Sequence, residues 1–135
     1  MKGKIMDIDN ERTAVIKIGG AEYPMVLTTR ATREIAKRYG GLSDLGDKLM
    51  KSENFEQALD EVVWLITLLA NQGVLIHNLQ YPKDQKPLLT EEAVDLLTTP
   101  MDLSGYKDAI LEAMYKGAKR NVEGETEPSK NAAAG

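Results

Sequence analysis

From Asn54 to Asn78 the chain reads NFEQALDEVVWLITLLANQGVLIHN, apolar on almost every side through its middle. Phe55, Leu59, Val62, Ile66, Leu69, Gly73 and Ile76 recur at alternating spacings of four and three, which makes one seam of a helix. Leu65, Leu68, Gln72, Leu75 and Leu79 make a second, mainly apolar seam beside it. A helix with two such seams must be covered on two sides, so it is the spine of a small bundle. Asn54 is its expected N-cap, with Gln57 as the capping-box partner. Gly73 costs about 1 kcal/mol in a helix interior relative to Ala. Its presence predicts close approach of another helix, or a kink or break before Val74.

Other patterns flank this spine. Thr13–Ile18 is short and β-branched, Gly19-Gly20 supplies the positive φ of a hairpin turn, and Glu22–Leu27 reads as the return strand. Pro24 lacks an N–H, which places that strand at an edge or bulges it. Lys4–Asp9 alternates and reads as a third strand or a loose arm. Thr28 or Thr29 caps a helix running to Tyr39, ended by Gly40-Gly41. Ser43 or Asp44 caps a short helix to about Lys51. Tyr81–Pro87 is a loop, and Thr90 caps a short helix with Glu91 and Glu92 at its positive end. Ala93, Leu96 and Leu97 form its apolar face and Pro100 stops it. Asp102 or Ser104 caps the last helix, from about Gly105 to Asn121. Tyr106, Ile110, Ala113, Met114 and Gly117 mark its inner face. Lys116, Lys119 and Arg120 suit the negative end of its dipole.

The expected fold is therefore mainly α (α+β): a small helical bundle around one long central helix, with an N-terminal β-hairpin. The expected organisation is an arm or extra strand over 1–12 and one globular domain over 13–122. Within that domain lie the hairpin (13–27) and helices from about 29 to 121. A disordered acidic tail is expected over 123–135. The 135 residues carry net charge −4, and residues 1–122 carry −2, so the tail supplies half of the acidity.

Charge and composition narrow the chemistry. A nucleic-acid module shows a concentrated basic surface. Here the local basic group is Arg30, Arg33, Lys37 and Arg38, read as a solvated helix face with Glu34 pairing to Arg30 or Arg38. The chain has no cysteine, hence no disulfide and no thiolate nucleophile or ligand. No signal-peptide core opens it. The apolar run from Val62 is bracketed by Asp60, Glu61, Asn71 and Gln72, short of the ~20 apolar residues of a membrane span. His77 is the only histidine, too few for a converging metal set. Ser43, Ser52, Ser104 and Ser129 lie in cap or tail contexts. Asp60-Glu61 and Glu91-Glu92 are adjacent helical pairs that point apart. No phosphate-binding glycine loop is present. No catalytic, cofactor-binding or metal-binding residue is expected. Asn71 and Gln72, amides in an apolar helix, need hydrogen-bond partners. They bind the backbone of the hairpin or the Tyr81 loop, or they line a partner-binding groove.

The order of pieces carries a resemblance: a hairpin, a helix ending Arg38-Tyr39-Gly40-Gly41, then Val63-Trp64-Leu65, Ala70-Asn71-Gln72-Gly73, His77-Asn78, Leu89-Thr90-Glu91-Glu92, Pro100, and a final amphipathic helix with a charged tail. Over residues 13 to 122 this resembles the tail assembly chaperones of long-tailed phages and prophages of Gram-positive bacteria. The resemblance implies a non-catalytic protein of the host cytoplasm, absent from the mature virion, that binds the tape measure protein and keeps it soluble until the tail tube forms. It also implies a longer form, made by ribosomal frameshifting, whose extension recruits tail tube protein. Ser129-Lys130-Asn131 permits a slippery codon run, which makes this chain the expected unshifted product. The competing expectations are a tail completion or connector protein retained in the virion, and a small enzyme or regulator using His77. The candidate binding surfaces are the basic stripe of Arg30, Arg33 and Lys37 and any exposed part of the Leu65–Leu68–Leu75 seam. A seam left bare would favour a homo-oligomer.

Overall fold

The computed structural model describes residues 12–41, Leu45 and 55–129, the last twelve of them and Phe55 as backbone alone. Strands β1 (Thr13–Ile18) and β2 (Ala21–Val26) are followed by α1 (Thr29–Tyr39), α2 (Phe55–Gln80), α3 (Glu91–Leu97) and α4 (Pro100–Ser129). This is the expected mainly helical fold: an N-terminal antiparallel hairpin and one long central helix. The proposed third strand at Lys4–Asp9, most of the short helix after Ser43 and the Asn54 cap lie outside the described residues.

Gly19 and Gly20 take φ of 60° and 85°, closing a two-residue turn whose twist matches the strands. The register runs without a bulge from Thr13↔Val26 to Ile18↔Ala21 and sets Val15 opposite Pro24. In a two-stranded sheet both strands are edges, so Pro24 is accommodated without one. Ala14, Ile16 and Ile18 point inward, and Val15 and Lys17 outward. β2 lies on α2, and β1 lies on α4. The Tyr106 hydroxyl donates to the Lys17 carbonyl, and Lys116 Nζ donates to the Thr13 carbonyl at 2.9 Å, so α4 ties β1 at both ends.

α2 packs against β2, α1, α3 and α4. By length and composition alone it is apolar enough to cross a bilayer. Val62, Leu65, Ile66 and Leu69 are its largest fully buried side chains, in one core with Met25, Ile35, Val94 and Ile110. Gly73 sits where a Cβ would fall 2.5 Å from the Pro24 carbonyl oxygen. The close neighbour is thus a strand rather than a helix, and α2 continues unbroken through it.

Four expectations are corrected. α4 begins at Pro100, not Gly105: Thr99 is its cap, with the Asp102 N–H on Thr99 Oγ1 (3.2 Å) and the Thr99 N–H on Asp102 Oδ2 (2.9 Å). Pro100 occupies the first helical position, where its missing N–H costs nothing. The helix also runs past Asn121 to Ser129, into the tail expected to be disordered, and neither Gly124 nor Pro128 ends it. Lys116 is therefore mid-helix, pairing with Glu112 at 3.0 Å as well as with Thr13. On α3, Val94 is buried, whereas Leu96 and Leu97 are exposed, because the helix turns its Val94 side onto the core. Glu34 pairs with Lys37 at 3.5 Å, and Arg38 reaches across to Glu61 instead.

Candidate partner-binding face

The C-terminal turns of α2 organise the surface most able to receive a partner. Asn71 Nδ2 donates to the Leu89 carbonyl and Asn71 Oδ1 accepts the Leu89 N–H, both at 2.7 Å. Two turns on, Asn78 does the same with the main chain of Lys86, at 3.0 and 2.7 Å. Residues seven apart share a helix face, so the two amides clamp one stretch of the 81–90 connection like a short paired strand. His77 Nε2 lies 2.9 Å from the Asp84 carbonyl and 3.2 Å from its carboxylate, and the His77 ring packs on Tyr81 at 5.0 Å. Among the described residues no group of three or more metal-ligating side chains occurs, and His77 works on the loop.

Gln72 is buried and joins α2 to α1. Its Oε1 accepts from the Thr28 hydroxyl at 2.6 Å, and its Nε2 donates to the Leu68 carbonyl at 3.1 Å. Thr28 is the expected N-cap of α1 and also accepts the Ala31 N–H. Of the two alternatives for these amides, Asn71 takes the loop backbone. Gln72 takes a side chain that spacing along the sequence did not indicate, and it also lines a groove.

That groove, about 510 Å³ in volume, runs along Leu75, Ile76 and Leu79 between Arg30 and the Pro82 end of the loop. Leu79 is 82% exposed, while Leu65 of the same seam is fully buried, so the seam opens to solvent as it leaves the bundle. A second cavity of about 510 Å³ adjoins it at Thr28 and is lined by Arg12 and Arg33. Among the described residues no Asp or Glu lines either one. Among the described residues Arg12, Arg30 and Arg33 have no ion-pair partner. Lys37 of the expected basic stripe lines neither cavity and is paired with Glu34.

At the far end of α1 the polar groups are closed on one another. The Tyr39 hydroxyl donates to Glu61, and Arg38 Nε lies 3.2 Å from the same carboxylate oxygen. The Arg38 guanidinium covers the Trp64 ring at 4.5 Å, and Tyr39 meets Trp64 edge-on. Burial, then the hydrogen bond to Glu61, raise the Tyr39 pKa well above the usual phenol range. For Arg38 burial pulls downward, and the bonds to Tyr39 and Glu61 reverse it to a net rise. A second exposed apolar patch, Leu96 with Leu97 and Met101, lies at the α3–α4 junction beside the hairpin turn.

No protein-family model, curated protein or solved structure matches this chain.

Proposed function

We propose that the chain is a phage tail assembly chaperone that binds the tape measure protein and keeps it soluble before the tail tube forms. The observation that carries this reading is the open end of the α2 seam. Leu75, Ile76 and Leu79 leave the core and line a groove at the surface of an acidic protein. A tape measure is a very long helical chain, and its apolar stripe is the kind of surface such a groove covers. Many copies bound along one chain would hold through multivalency, and their net negative charge would keep the complexes apart. The residues that carry the resemblance support it indirectly. Asn71, Gln72, Gly73, His77 and Asn78 each have a part in building this end of the fold or bracing it.

Co-expression with the tape measure protein of the same phage or prophage is the test. The expected result is a soluble complex of the two, with this chain missing from purified particles by mass spectrometry. A tape measure protein equally insoluble with and without this chain would refute the reading. Detection of the chain in virions would point to the tail completion or connector role.

A further inference from the structure

We propose that the groove between α1 and the last turns of α2 is a docking site for an amphipathic helix bearing acidic residues beside its apolar stripe. The apolar stripe seats on Leu75, Ile76, Leu79 and Pro82, and a flanking carboxylate meets Arg30. The partner's identity rests on the chaperone reading; the placement of the surface rests on the structure. Leu79 contributes the largest exposed apolar side chain at the groove, at 82% exposure, and it shares the groove with the half-buried Leu75 and Ile76, so it belongs to an apolar strip and is not a lone surface leucine. The floor and walls are already fixed. Gln72 is held by Thr28, Asn78 grips Lys86 and His77 grips Asp84, so little ordering remains to be done on binding.

Charge selects the occupant. Arg12 and Arg33 line the adjoining cavity, and among the described residues Arg30 is unpaired and no carboxylate lines either cavity. In a chain of net charge −4, three such arginines around the start of α1 form a local positive field that an acidic segment complements and a basic one does not. The same net charge disfavours a second copy as the occupant. A helix fits better than an extended strand, because the groove is walled by helices and a loop and presents no strand edge to pair with.

The experiment is co-expression of the tape measure protein with the wild-type chain and with Leu79→Asp, Arg30→Glu and Leu96→Asp variants. Each variant is checked for native thermal unfolding; all three positions are exposed. The expected result is a loss of soluble partner of roughly tenfold or more for Leu79→Asp, as for a central anchor residue. Arg30→Glu loses less and is restored by reversing an acidic residue in the bound partner segment. Leu96→Asp, on the separate patch, has no effect. If the wild type solubilises the partner and Leu79→Asp and Arg30→Glu do so equally well, the docking site is refuted and the chaperone reading stands. If the wild type itself fails, both fall. If the free chain self-associates and Leu79→Asp makes it monomeric, a second copy is the occupant and the proposal is overturned.

Discussion

Over the last three turns of α2, polar and apolar side chains stand at similar depth: Asn71, His77 and Asn78 are half-buried, as are Leu75 and Ile76, and Leu79 is exposed. Asn71, His77 and Asn78 are engaged by the main chain of the 81–90 connection. Interleaved with them along the helix, Leu75, Ile76 and Leu79 line a surface groove that Asn78 also borders, with Leu79 almost wholly in water. In the middle of the same helix the ordinary rule holds, with Leu65, Ile66 and Leu69 fully buried. The difference separates two kinds of work. The amides give stability by satisfying a connection that has no regular secondary structure of its own, and the leucines give little stability where they stand. Stability and recognition should therefore respond to different substitutions only a turn or two apart.

The largest effect is expected on the polar side. Asn71→Ala strands the N–H and C=O of Leu89, a buried residue, and should cost about 2–4 kcal/mol in urea unfolding. Asn78→Ala removes the same pair of bonds from Lys86, where water replaces them, and should cost about 1 kcal/mol. Equal losses at the two positions would show that burial does not set the strength of the clamp. Next comes Gly73→Ala. Helix propensity alone would favour it by about 1 kcal/mol. The added Cβ would meet the Pro24 carbonyl oxygen at 2.5 Å, backbone against backbone, so a net loss of roughly 1–3 kcal/mol is expected by the same measurement. A neutral or stabilising result would mean that β2 slides off α2 without penalty.

A smaller effect tests whether polar engagement stabilises the other end of the bundle as well. Burial, then the bond to Glu61, raise the folded-state Tyr39 pKa above its ordinary value of 10.0. The folded state then holds this proton more tightly than the unfolded chain does. The contribution is full below about pH 10 and is lost as pH rises above it. The gap between the unfolding midpoints of the wild type and Tyr39→Phe should therefore hold from neutral pH to about pH 10 and begin to close between about pH 10 and 11. Parallel curves would remove Tyr39 from the account.

How much of this was legible in the sequence follows the range of each interaction. The middle of the two seams from Val62 to Leu69, the glycine turn and the Thr28 and Thr90 caps depend on residues within a few positions of one another, and all appear in the structure. The Thr99 cap was equally local: Thr99-Pro100-Met101-Asp102 holds a cap, a first-position proline and an acidic partner, and reading Pro100 only as a stop hid it. The exposure of Leu96 and Leu97 was not legible, since a seven-residue helix with several apolar positions does not reveal which side meets the core. Nor was the groove. It needs Arg30 and Leu79 to be neighbours across 49 positions, a relation fixed by the Thr28–Gln72 bond and by the passage of β2 over Gly73.

The smallest expected change in stability is the most discriminating. At 82% exposure Leu79 has little apolar area to lose, so Leu79→Asp should alter unfolding free energy by no more than about 0.5 kcal/mol. Asp in the last turn also faces the negative end of the helix dipole, a penalty of a few tenths of a kcal/mol that is screened by salt. Repeating the melt at high salt separates that term from packing. A loss above about 1 kcal/mol that persists in salt would mean that Leu79 supports the fold, and the division of work between the amides and the leucines would collapse. A near-zero change beside a lost partner would place recognition at the one stretch of the seam that the bundle leaves open.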